Sequence, residues 1–164
     1  MSSLIAQLRR MYARAVRACN TLQSPFLLFV RLYWGIQIGQ NGWGKLHNLP
    51  RVTEFFASLG LPAPGLTATF VASFEFIAGI FLVLGLFNRL VALMLFVDMF
   101  MAYATADREA LFAFFSDPGK FYVADPYTFL FAALIILIFG PGLVSLDTLL
   151  LRRYPYPPGT PAKS

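Results

Sequence analysis

Four apolar runs, most of them close to the ~20 residues that an α-helix needs to cross a bilayer, constrain this chain more than any other feature. They extend from about Pro25 to Gly42, Leu66 to Phe87, Leu90 to Thr105 and Tyr127 to Phe139. The last is short unless Gly140, Pro141 and Gly142 still lie in lipid, and the helix is expected to break there. Of the 164 residues 58% are hydrophobic and 13% charged, about half the charged fraction of a soluble domain, so lipid must cover what polar side chains cannot. The expected fold is an all-α integral membrane protein, a bundle of four transmembrane helices with interfacial amphipathic helices.

The flanks fit that reading. In residues 1–22, Leu4, Leu8, Met11, Ala15 and Cys19 form one stripe, with Arg10, Arg14 and Arg17 opposite. That pattern describes a basic amphipathic helix on a membrane surface, or a soluble helix packed on a partner. No cleavable signal peptide is expected, because the basic stretch leads into an apolar run with no small-residue cleavage site. Pro50 opens a short helix with Val52, Phe55, Phe56 and Leu59 on one side, which Gly60 and Pro62 stop. Asn88 and Arg89 read as a tight turn that makes the second and third spans antiparallel neighbours. Residues 107–125 read as an outer loop dipping aromatic rings into the interface, and Leu143 to Leu151 as a last surface helix. The chain thus divides into a surface helix (1–22), a membrane domain (25–147) and a proline-rich tail (148–164). Arg9, Arg10, Arg14, Arg17, Arg89, Arg152, Arg153 and Lys163 fall on one side, against Lys45, Arg51, Arg108 and Lys120 on the other. The richer side is expected to be cytoplasmic, with both termini on it.

The net charge of +5 points to anionic headgroups rather than nucleic acid, since the basic residues flank apolar runs instead of covering one face. One cysteine, Cys19, and one histidine, His47, exclude a haem held by two histidines, a thiolate metal cluster and an iron–sulfur centre built from this chain alone.

Arg31, Glu75 and Asp98 interrupt the first three runs. A charge at the bilayer centre costs ~2.5–3.5 kcal/mol on insertion scales, so all three are expected to face inward at similar depth. An ion pair at about 4 Å and an effective dielectric near 20 returns ~4 kcal/mol. Arg31 is therefore expected to pair with Glu75, leaving Asp98 without a cation as the candidate for a carboxyl kept neutral. Such a group can relay protons or hydrogen-bond a quinone carbonyl; equally, all three residues can be struts that set bundle geometry. Glu75 and Asp98 are the candidate catalytic pair, and Arg31, Lys45 and His47 the candidate substrate-binding residues. Lys45 and His47, beside Trp43, either meet water or form a polar mouth at which His47 exchanges protons. Gly35 with Gly39, and Ala68, Ala72 and Gly79 around Glu75, are expected to form small-residue seams between helices.

Arg31-Leu32-x-x-Gly35, Gly42-x-Gly44-Lys45-Leu46, Glu75 with Gly79, Leu84-Gly85-Leu86, Asn88-Arg89 and Gly140-Pro141-Gly142-x-x-Ser145-Leu146-Asp147 together resemble the DoxX-like membrane proteins over residues 25–147. The resemblance implies a four-helix membrane bundle in the bacterial inner membrane, and Arg31, Lys45, Glu75 and Arg89 match the recurrent polar positions. Asp98 departs from the family pattern. Relatives of this kind are associated with quinone-linked or thiol redox systems. The expected function is thus a small subunit of a quinone-linked oxidoreductase, with a non-covalently bound quinone and with protein partners that carry the redox cofactors. The alternative is a structural or docking subunit without a catalytic role.

Overall fold

The structure, a computed structural model, describes residues 2–153; the proline-rich stretch from Tyr154 onward lies outside the described residues. Eight helices and no strand occur among them: α1 (Ser2–His47), α2 (Leu49–Ser58), α3 (Pro64–Leu84), α4 (Asn88–Thr105), α5 (Arg108–Phe112), α6 (Pro118–Val123), α7 (Pro126–Phe139) and α8 (Leu146–Arg153). α3 and α4 are each long and apolar enough to cross a membrane, and α7 is a shorter apolar helix. Ile77, Leu84, Leu90, Val97 and Phe131 stand exposed along these helices, the outer surface expected of a bundle bathed in acyl chains rather than water.

Small residues decide how the helices pair. α1 packs chiefly on α3, and α4 on α7, while α2 lies against α3. The α1–α3 contact is a glycine seam: a Cβ on Gly79 would come within 2.6 Å of the Gly35 carbonyl oxygen and the Gly39 Cα. One on Gly42 would run into the backbone of Ala72 and Phe76. Ala68 and Ala72 are buried in the same seam, so both expected small-residue stripes meet each other. Larger side chains fill the middle, where Val30, Ile38, Leu82, Leu95, Met99 and Ile136 form the core. Trp34 ties α1 to α7 by donating its indole N–H to the Thr128 hydroxyl at 2.6 Å.

Two boundaries differ from the sequence expectation. The surface helix and the first span form one helix that passes through Pro25 without interruption. The α3–α4 turn lies at Gly85–Phe87, and Asn88 already opens α4. Gly85 takes the left-handed conformation (φ 75°), and the Leu86 N–H returns to the Phe81 carbonyl at 3.0 Å, a closure that ends α3 three residues before the apolar run does. The break after α7 falls where Gly140 and Gly142 make it expected, both at positive φ.

Candidate functional site

The polar residues of the interior separate into two groups. In the first, the Lys45 ammonium lies 2.6 and 2.7 Å from the two carboxylate oxygens of Glu75. Glu75 is 2% exposed, whereas the Lys45 side chain is about one-third exposed (34%). The glycine seam explains the meeting. Gly42 seats α1 directly on the Ala72–Phe76 backbone, and Lys45, one turn further along, reaches back over α3. Asp98 approaches from α4. Its Oδ2 atom is buried without a hydrogen-bond partner, and it lies within electrostatic reach of both Glu75 and Lys45. Glu75 alone contacts the ammonium, and Asp98 lies beside the pair with no ion pair of its own among the described residues. The expected Arg31–Glu75 pair does not form: Lys45 takes that place, because the glycine contacts set the register of α1 on α3 and put Arg31 opposite the C-terminal end of α3 rather than its middle.

Arg31 heads the second group and is 1% exposed. Its Nε donates to the Leu82 carbonyl at 3.1 Å, and its Nη1 to the carbonyls of Pro141 at 2.6 Å and Val144 at 2.9 Å. The guanidinium therefore collects carbonyls from the C-terminal end of α3 and the loop after α7, an acceptor-rich cage in which a cation needs no carboxylate in contact. Gly85 makes room, since a Cβ there would lie 2.8 Å from Arg31 Nη1. Asp147 completes the group. Its carboxylate accepts the Phe87 N–H at 2.7 Å and the Asn88 N–H at 2.9 Å, capping the start of α4 from a distant stretch of chain. Asp147 is also the carboxylate whose field Arg31 feels. Arg89 lies nearby, its guanidinium 3.4 Å from the Ile138 carbonyl.

His47 joins neither group. It is exposed, its Nδ1 donates to the Trp43 carbonyl at 2.9 Å, and its ring lies 4.2 Å from that of Trp43. Of the five residues singled out from sequence, the structure therefore gathers Lys45, Glu75 and Asp98 and separates Arg31 and His47 from them. Sequence reasoning missed the capping role of Asp147 and the buried Asn88. Their signal was present in Asn88-Arg89 and Ser145-Leu146-Asp147, but nothing in the spacing says that these motifs touch.

A family model described as DoxX matches residues 26–108, just over half of the chain. The chain belongs to the DoxX family. The match includes Arg31, Lys45, Glu75, Asn88 and Asp98 and stops short of the Gly140–Asp147 motif, which nevertheless packs against Arg31 and the α3–α4 turn. No curated protein and no solved structure matches the chain. Family membership, the all-helical fold and the two long apolar helices together describe a DoxX-family membrane protein.

A small cavity between Trp34, Leu82, Leu95 and Phe129 has a volume of about 10 Å³, room for one water. A quinone ring does not fit inside it. The partly exposed Lys45 ammonium is a donor that suits a carbonyl oxygen.

Proposed function

We propose that this DoxX-family protein is a small inner-membrane subunit of a quinone-linked oxidoreductase, crossing the bilayer with α1, α3, α4 and α7 and keeping both termini in the cytoplasm. A partner subunit carries the redox centre, and this chain supplies a surface that faces quinone. One observation carries the reading: the buried, unpartnered Oδ2 of Asp98 beside a lysine already engaged by Glu75. With both carboxylates ionised the group is one negative charge in excess, and one proton brings it to neutrality. In surroundings that penalise net charge, this makes a place for an exchangeable proton. A bound quinone supplies carbonyl oxygens that take up one proton with each electron received. The chain's own part is to hold that proton at Asp98 or Glu75, with the partly exposed Lys45 as the way in from water.

Asp98→Asn and Glu75→Gln, each made in the native complex, test this. The expected result is a loss of quinone-linked turnover of at least about tenfold while the partner still co-purifies. The second reading, an assembly or docking subunit, draws support from Arg31, whose donors are occupied by backbone carbonyls as a strut's would be. Unchanged turnover with weakened assembly would favour it, and a stable protein that binds neither partner nor quinone would overturn the oxidoreductase reading.

A further inference from the structure

At 46 residues, α1 is ~69 Å long at 1.5 Å per residue, more than twice the ~30 Å hydrocarbon core. Its packing shows which part the bundle uses. Leu27 is the first buried residue and Ser24 the first half-buried one. Ser24 is also the first anchor, its Oγ accepting the Leu143 N–H at 2.8 Å. From Ile5 to Gln23 every residue is exposed, so a segment of ~30 Å leaves the bundle with no partner among the described residues.

This segment has two unlike sides. Leu8, Met11, Tyr12 and Leu22 are exposed on one side, and the stripe continues at helical spacing into Phe26 and Phe29, exposed on the outer surface of the bundle. Arg9, Arg10, Arg14 and Arg17 occupy the other side, and no Asp or Glu precedes Glu54 in the sequence. The segment also emerges at the basic end of the bundle. Ser24 touches the loop that leads into α8, which ends in Arg152 and Arg153, and Arg89 reaches the end of α7 at that same place. Asp147, the carboxylate there, is engaged by the amides of Phe87 and Asn88. Pro25 marks the boundary. A proline inside a helix leaves the carbonyl four residues earlier, here Thr21, without its donor, and helices bend at such points.

We infer that residues 5–24 swing about the Thr21–Pro25 turn and dock on the anionic surface of the bilayer, apolar side in the acyl boundary and arginines among lipid phosphates. A second copy is a poor occupant, because two such segments side by side would bring eight arginines together with no acid between them. Lipid fits both sides at once: the apolar stripe is the one that already meets acyl chains at Phe26 and Phe29, and the arginines lie where headgroup phosphates would be.

Cys19, the single cysteine and exposed, is a native reporter within the segment. The full chain, labelled there with a polarity-sensitive fluorophore, is reconstituted into vesicles of phosphatidylcholine alone or phosphatidylcholine mixed with phosphatidylglycerol. The expected result is a blue-shifted probe, quenched by lipid-borne quenchers, only in the phosphatidylglycerol vesicles, with reversal by high salt. Arg14→Gln should lower the ratio of docked to free segment about fivefold, the equivalent of ~1 kcal/mol per arginine, and replacing all four arginines with glutamine should abolish docking. Three outcomes overturn the inference: a probe equally wet in both vesicles, a probe buried alike in both and indifferent to salt, or shielding that rises with protein concentration rather than with lipid charge.

Discussion

The glycines of the α1–α3 seam differ sharply in what an added methyl group would meet, and this allows a stringent test of the packing. Gly79→Ala puts a Cβ at 2.5–2.6 Å from the backbone of Gly35 and Gly39, whereas Gly39→Ala meets nothing nearer than 3.8 Å and Gly44→Ala nothing within 4 Å. Restoring an ordinary contact of 3.4 Å at Gly79 requires the two helix backbones to part by about 0.9 Å, and no flexible side chain can absorb the shift. All three substitutions gain the same helix propensity, ~1 kcal/mol, so that term cancels between them. The remaining difference is the cost of overpacking, ~1–3 kcal/mol against Gly79→Ala. Unfolding of each variant in mixed detergent micelles, followed by loss of tryptophan fluorescence, measures it. Gly39→Ala and Gly44→Ala should match or exceed the parent, and Gly79→Ala should fall below it. Equal stability of Gly79→Ala and Gly39→Ala would refute the seam, because without close backbone contact between α1 and α3 an added methyl group would meet open space at both positions.

Lys45→Met leaves the Glu75 carboxylate buried without a cation, and unfolding should show a loss toward the lower end of ~3–5 kcal/mol, given the partial exposure of Lys45; adding Glu75→Gln should restore much of that loss, and a failure to recover would separate the two residues energetically. Arg31→Lys keeps the charge but cannot span carbonyls on both α3 and the loop after α7. Its expected cost is ~1.5–3 kcal/mol by the same assay, and no loss would mean that the carbonyl cage is incidental. Asp98→Asn removes a carboxylate oxygen that has no partner, so its fold should survive unharmed; a large destabilisation would contradict the excess charge assigned to its group.

The features that the amino-acid sequence determines by itself follow from local rules. Hydrophobic runs of the right length announce membrane helices because the bilayer offers no hydrogen bonds to an unpaired backbone, and glycine and proline at 60–62 and 140–142 announce the stops because few other residues tolerate those conformations. The motifs around Arg31, Lys45, Glu75 and Asn88 sufficed to suggest the family. Which cation meets which carboxylate was not legible, since spans of similar length leave the sliding register of one helix on another open. That register is set by backbone contacts of Gly35, Gly42 and Gly79, which only the packed helices display. Shifted by those contacts, Arg31 meets carbonyls at the end of α3, and Lys45, read from sequence as an interfacial residue, turns inward to Glu75. The Asp147 cap on α4 is likewise a product of tertiary structure, because the fifty-nine residues that separate it from Asn88 carry no periodic signal that brings them together. Composition and periodicity thus determined the kind of solvent and the kind of element; close packing of glycine against backbone decided which charges became neighbours.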